Sequence, residues 1–107
     1  MRRGDVYWVD FDPTRGGEIQ KRRPAVIVSN NAAVRAQNRV QVVPLSSNFT
    51  HVHRWEALVH VAGIPGKAMA DQIRTVTKER LGDRLGALTQ PDLLAVELAI
   101  RVQLGLP

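Results

Sequence analysis

Pro24-Ala25-Val26-Ile27-Val28-Ser29 is the run whose reading decides the architecture. It is short, continuous and apolar, the pattern of a strand buried on both faces. Upstream, Asp5-Val6-Tyr7-Trp8-Val9-Asp10-Phe11 is rich in β-branched and aromatic residues and reads as a second strand. Between them, Asp12-Pro13-Thr14-Arg15-Gly16-Gly17 supplies turn chemistry, and the stretch from Asp12 to Arg22 is a long, polar, basic loop. Loops of that length in a small domain are often functional. Downstream, Asn30 to Asn38 allows one turn of helix. Arg39-Val40-Gln41-Val42-Val43 alternates as a strand that Pro44 should stop. A second polar loop follows from Leu45 to Arg54. Trp55 to Val61 alternates again, Gly63-Ile64-Pro65-Gly66 reads as a turn, and Lys67 to Val76 is the next strand. Thr77 to Arg80 suits a helical turn and Arg84 to Ala87 a short last strand.

The C-terminus changes period. Thr89 is a good N-cap, Pro91 sits in the first turn, and Asp92 suits the positive helix end. Leu93, Val96, Ile100 and Leu104 follow helical spacing, with Leu94 and Leu98 widening the face. The spacing predicts an amphipathic helix over 91–104, ended near Gly105, that covers an open side of the sheet or supports a partner subunit. About six short strands, long loops and one closing helix make a mainly β (α+β) fold, a small and mostly antiparallel barrel. The 107 residues fit a single domain, 1–107, with a modest core.

Composition narrows the function classes. With 44% hydrophobic and 23% charged residues the chain is globular. The absence of cysteine excludes disulfide scaffolds and thiolate chemistry, and fits a cytoplasmic, reducing location. No apolar run approaches the roughly 20 residues of a membrane helix. The N-terminus turns directly into a strand pattern, with no apolar signal-peptide core. Fifteen Lys and Arg oppose ten Asp and Glu, a net charge of +5. All of that excess lies in residues 1–54, while residues 55–107 are neutral. One positive face suits a polyanion, nucleic acid first, or simply keeps the protein soluble.

Three features offer chemistry. In Gln20-Lys21-Arg22-Arg23-Pro24, an extended chain points Lys21 and Arg23 one way and Arg22 the other. Pro24 biases Arg23 towards an extended conformation, so Arg23 is held at a rigid strand start while Lys21 and Arg22 lie on the mobile side. A rigid guanidinium can bind a phosphate through two parallel hydrogen bonds. Lys21 and Arg22 either hold an anion or guard the strand against edge pairing. Pro44-Leu45-Ser46-Ser47-Asn48 places hydroxyls and an amide after a strand, where turn formation alone would also explain them. His51-Val52-His53 offers the acid and base of a ribonuclease. H-x-H with no cysteine and no spaced third ligand is a weak metal signal. His60 reads as structural, and no phosphate-binding glycine motif or nucleophile elbow is present.

Together, Gly4 to Glu18, Arg23-Pro24-Ala25-Val26-Ile27-Val28-Ser29, Val43-Pro44-Leu45-Ser46-Ser47 and Ala68-Met69-Ala70-Asp71-Gln72-Ile73-Arg74-Thr75-Val76 resemble the MazF/PemK-type toxins of bacterial toxin–antitoxin modules. The match runs over nearly the whole chain. The resemblance implies an SH3-like barrel related to the gyrase poisons, a homodimer, and a metal-independent endoribonuclease without cofactor that cuts single-stranded RNA, chiefly messenger RNA. It assigns catalysis to Arg23, to the hydroxyl at Ser46 (usually Thr in the family, with Ser47 as a substitute) and to Glu18 in a supporting or base-reading role. It also implies a cognate antitoxin, for which an acidic, partly disordered tail would suit the +5 surface.

The implied chemistry is consistent from below. The 2′-oxygen of RNA attacks its own phosphodiester and the 5′-oxygen leaves, giving a 2′,3′-cyclic phosphate and a 5′-hydroxyl. No metal is required where charge on the phosphoryl oxygens is stabilised. Arg23 supplies that charge first and a proton to the leaving oxygen second. Ser46 holds the phosphate in line. Glu18 and His53 are the candidates for general base. Lys21, Arg22, Ser47 and His53 would hold RNA, and Gln20, Asn48 and Gln72 would read unstacked bases. Two rivals stand beside this reading: a gyrase-inhibiting toxin of related fold acting by protein contact, and a non-catalytic RNA-binding barrel. Only 5% of residues are aromatic, which argues mildly against the second.

Overall fold

A computed structural model describes residues 1–11 and 22–107. The chain order is β1 (Asp5–Asp10), β2 (Arg22–Ile27), α1 (Asn31–Ala36), β3 (Arg39–Ser46), β4 (Glu56–Val61), β5 (Ile64–Met69), β6 (Arg74–Thr77), β7 (Leu81–Ala87) and α2 (Gln90–Leu104). Short 3-10 turns, Ala70–Gln72 and Lys78–Arg80, precede β6 and β7. The hydrogen-bonded path is β4-β5-β3-β2-β1-β7, with β6 on the other half of β3, and every pairing is antiparallel. The path curls into a half-barrel whose ends approach: a Cβ placed on Gly86 of β7 would lie 3.3 Å from Val61 Cγ1 of β4.

Alternation explains the two cores. Val26 joins Val6, Val43, Leu45 and Val59 inside the half-barrel, under Leu93, Val96 and Ala99 of α2. Its neighbours Ala25 and Ile27 face the opposite side, with Val9, Val40, Val42, Val76 and Val34 of α1. All three are fully buried. β2 is thus the doubly covered strand that its continuous apolar run implied, and a mainly β fold with one closing helix is what the chain adopts.

Four expectations about the strands are corrected. β3 runs through Pro44 to Ser46. Its neighbour on one side changes from β6, last paired at Val42, to β5, first paired at Leu45. Pro44 falls in that gap, where a missing N–H breaks no ladder on that side. Gly63-Ile64-Pro65-Gly66 is not the turn. Val61 pairs with Ile64, so the hairpin loop is Ala62-Gly63, with φ of 50° and 80°. Two-residue hairpin loops favour such primed turns, and Gly63 adopts one of the positive φ values without Cβ strain. Pro65 lies in β5 beyond its last β3 partner, again where no donor is needed. Lys67 to Val76 is two strands split by the 3-10 turn, so the described residues form a seven-stranded sheet. Trp55 is not in a strand; it precedes β4.

Helix α2 begins and ends as its sequence indicates. Thr89 Oγ1 accepts the Asp92 N–H at 3.3 Å, and Gly105 takes the left-handed conformation at φ 67°. The buried stripe is narrower than expected: Leu93, Val96 and Ala99 are covered, whereas Leu94, Leu98 and Leu104 are exposed. The helix packs over β4 and the Ala70–Gln72 turn, so only the residues above that seam lose water. Asp92 also accepts the His60 N–H at 2.9 Å, fastening the helix to β4. At the other end of the chain, Arg3 pairs with Glu97 at 2.7 Å and donates to the Val28 carbonyl, a structural role.

No helix among the described residues is long and apolar enough to cross a membrane.

Candidate functional site

The half-barrel core is open at one end. There a cavity of about 610 Å³ is walled by Trp8, Pro24, Leu45, Val59, Val61 and Leu85, with Ile64 and Pro65 of the β4–β5 hairpin. Leu45 and Val59 belong to the inner core, so the cavity continues the core towards solvent. Among the described residues, its charged and hydroxyl side chains belong to two places: Arg22 and Arg23 at the start of β2, and Ser46 and Ser47 at the end of β3.

Strand register brings those two places together. Asp10 pairs with Arg22 and Val9 with Arg23 across β1–β2, and Ala25 pairs with Pro44 across β2–β3. That pairing ends two residues short of Arg23 and Ser46, which both line the cavity. Arg23 is half-buried, and Ser46 is half-buried next to an exposed Ser47. Ser46 Oγ accepts the Asn48 N–H at 3.1 Å. That bond uses a lone pair, which leaves the hydroxyl hydrogen to donate. A cation and a hydroxyl at the mouth of an apolar cavity can hold a phosphodiester with one base packed against the apolar wall.

Arg22 departs from its expected place. It opens β2 instead of lying on a mobile loop, and its guanidinium lies over the Trp8 ring, 5.3 Å from the centroid. It lines the same cavity as Arg23. Glu18, Gln20 and Lys21 lie outside the described residues. The last two residues described before them are each held by a cation: Arg74 lies over the Phe11 ring, 5.2 Å from its centroid, and Arg80 donates to the Asp10 carbonyl at 3.2 Å.

Three remaining candidates are not on the cavity wall. Asn48 is exposed, with Oδ1 accepting the Thr50 N–H at 3.2 Å, just past Ser47. Gln72 is exposed on the 3-10 turn after β5, its amide 3.6 Å from Met69 Sδ. His53 stacks on Trp55, centroids 4.7 Å apart and planes within 6°. A buried pair supports this loop. Lys67 Nζ, on the strand residue opposite Ser46, lies 3.2 Å from Glu56 Oε2 and donates to the His51 carbonyl at 2.9 Å. Glu56 Oε1 accepts the His53 N–H at 3.0 Å. Burial works against the Glu56 charge, but the His53 N–H and the Lys67 ammonium outweigh it and hold the carboxyl below its usual range. Among the described residues no three of His, Cys, Asp or Glu gather into a metal-binding group.

Reading by residue type missed Trp8 and the Val59–Val61–Leu85 wall, because apolar residues lining a cavity carry the same pattern as apolar residues filling a core. It missed Trp55 by placing it in a strand.

The comparisons agree with this geometry. The family described as PemK-like, MazF-like toxin of type II toxin–antitoxin system matches residues 2–104. Endoribonuclease MazF9 of Mycobacterium tuberculosis is 36% identical over 115 residues, covering 99% of this chain and 98% of that protein. Endoribonuclease MazF of Staphylococcus epidermidis is 31% identical over 112 residues, covering 99% and 92%. A mycobacterial endoribonuclease solved in complex with its cognate antitoxin superposes with a TM-score of 0.84 at 31% identity, covering 100% of this chain and 97% of that one. With the half-barrel, its closing helix and the sequence match all in accord, the chain belongs to the PemK-like, MazF-like toxins of type II toxin–antitoxin systems.

Proposed function

We propose that this toxin is a metal-independent, sequence-specific endoribonuclease that cuts single-stranded RNA, messenger RNA above all, by internal transfer. The observation that carries the reading is the meeting of Arg23 and Ser46 at the cavity mouth. The naming of relatives as endoribonucleases supports it. A gyrase inhibitor or a passive RNA binder would need no such pairing.

In the reaction, the 2′-hydroxyl loses its proton to a base as its oxygen bonds to phosphorus. The P–O5′ bond breaks and the 5′-oxygen takes up a proton, leaving a 2′,3′-cyclic phosphate and a 5′-hydroxyl. Arg23 neutralises the charge that grows on the non-bridging oxygens and, second, supplies a proton to the leaving oxygen. Ser46 donates to the phosphate and keeps attack in line. Arg22, held over the Trp8 ring, and Ser47 hold the flanking backbone. Of the two candidates for general base, His53 is off the cavity wall and its ring is engaged by Trp55, so Glu18 is the one retained. Lys21 holds RNA, and Gln20, Asn48 and Gln72 read bases. The working form is a homodimer, and an antitoxin with an acidic tail competes for the basic mouth.

The test is cleavage of a defined RNA and of the same RNA carrying one 2′-deoxy nucleotide at the cut site, both in EDTA. We expect the first to be cut to 2′,3′-cyclic phosphate and 5′-hydroxyl ends, and the second to resist. Equal cleavage of the two overturns internal transfer, and loss of cleavage in EDTA overturns metal independence.

A further inference from the structure

The loop from Ser47 to Trp55 carries no acidic residue and ends in His53-Arg54-Trp55. It presents Phe49, Val52 and Trp55 to solvent, Trp55 at 37% exposure. Exposed aromatic rings in a chain with so few of them need a reason. The His53 and Trp55 rings already form a parallel stack, 4.7 Å between centroids and with 6° between their planes. Such a pair has an outer face onto which a third flat ring can lie. Its backbone is held from three sides. Glu56 Oε1 accepts the His53 N–H, Trp55 O accepts the Ala70 N–H at 3.1 Å, and Lys67 Nζ grips the His51 carbonyl. A surface fixed in advance binds without the entropy of ordering it. Lys67 is also the cross-strand partner of Ser46, so the same clamp ties this platform to the end of the sheet that carries the cavity.

We propose that the His53–Trp55 stack is a second base-binding position, outside the cavity, that takes an unpaired base flanking the cut site. It rests on the reading of the protein as an RNA-cleaving enzyme. The chemistry favours a nucleobase over a peptide. The platform is flat and Arg54 lies between its two rings in the chain, the pattern of single-strand stacking surfaces.

The experiment uses a 2′-deoxy-blocked RNA of a cleaved sequence, with 2-aminopurine placed in turn at each position flanking the cut. With the wild-type protein we expect fluorescence at one flanking position to be quenched, and an abasic nucleotide there to weaken binding by about tenfold. In Trp55→Ala both the quench and the sensitivity to the abasic site should vanish, while Trp55→Phe retains them. Quenching and abasic sensitivity that persist in Trp55→Ala, or that are absent everywhere in a wild type that binds and cleaves RNA, overturn the platform alone. An RNA affinity unchanged in Trp55→Ala beside a lost affinity for an acidic peptide assigns the surface to protein contact and overturns it too. A wild type that neither binds nor cleaves any RNA overturns the function itself, and the platform with it.

Discussion

A guanidinium at position 23 has a shape that no other cation reproduces, and two neighbouring groups decide how it can act. Pro24 keeps its backbone extended and Val9 pairs with it across β1–β2, so its position is set by the sheet and not by a loop. In the proposed reaction, Arg23→Ala lowers kcat by roughly 10²–10³-fold, the loss typical of removing one charge-stabilising donor. Arg23→Lys restores only part, since an ammonium is a point charge without the planar fork. Initial rates on one RNA oligonucleotide, beside melting curves close to wild type, check both. Position 46 separates from 47 in the same assay. Ser46 is tied to Asn48 and half-buried, whereas Ser47 is exposed. Ser46→Ala should cost about tenfold or more in kcat/KM, the worth of a hydrogen bond to a charged group, and Ser47→Ala clearly less. A larger loss at Ser47 would move the functional hydroxyl by one residue. Arg23 was legible in the sequence because Arg-Pro at a strand start is a local signal. Trp8 was not, because only the curl of the sheet turns a core-like side chain into a cavity wall.

At the scale of elements, the helix ends were the most legible part of the chain. Caps are short-range chemistry, and Thr89, Pro91, Asp92 and Gly105 state theirs within one turn. Thr89→Ala should cost about 1 kcal/mol of unfolding free energy, measured by urea titration. The interior prolines were misread for the opposite reason. Whether a missing N–H matters at Pro44 or Pro65 depends on which strand lies alongside, and that is decided by residues far away in sequence. The Lys67–Glu56 clamp joins β4 to β5 and was invisible for the same reason. Because Glu56 is held below the usual carboxylate range in the folded protein, its charge adds stability above the unfolded-state value. That stability is lost as pH falls through the lower folded value. The melting-temperature advantage of wild type over Glu56→Gln should therefore be full at neutral pH and shrink below about pH 4. An advantage that stays constant into acid would show that the pair adds no charge-dependent stability.

For the whole molecule, charge and core act at different ranges. The +5 concentrated in the first half favours any polyanion, so RNA affinity should fall steeply with salt. For single strands, a plot of log affinity against log salt should fall with a slope near −0.7 for each phosphate neutralised. Arg22→Ala should reduce that slope by about one phosphate's worth; an unchanged slope would leave Arg22 as a packing partner of Trp8. The buried core is the other global quantity. Val26 is fully buried among β1, β3 and α2, and Val26→Ala should cost about 2–3 kcal/mol by denaturant unfolding.

The sequence by itself determined the strand character of the chain, its doubly buried β2, its capped final helix and the cation and hydroxyl runs that carry the proposed chemistry. These depend on side-chain period and on contacts a few residues long. The tertiary structure alone decided that Arg23 and Ser46 line one cavity, that this cavity opens beyond Leu45 and Val59, and that His53 lies flat on Trp55. Each of those depends on strand register and sheet curvature, and register is a property of pairs of strands that no single stretch of sequence contains.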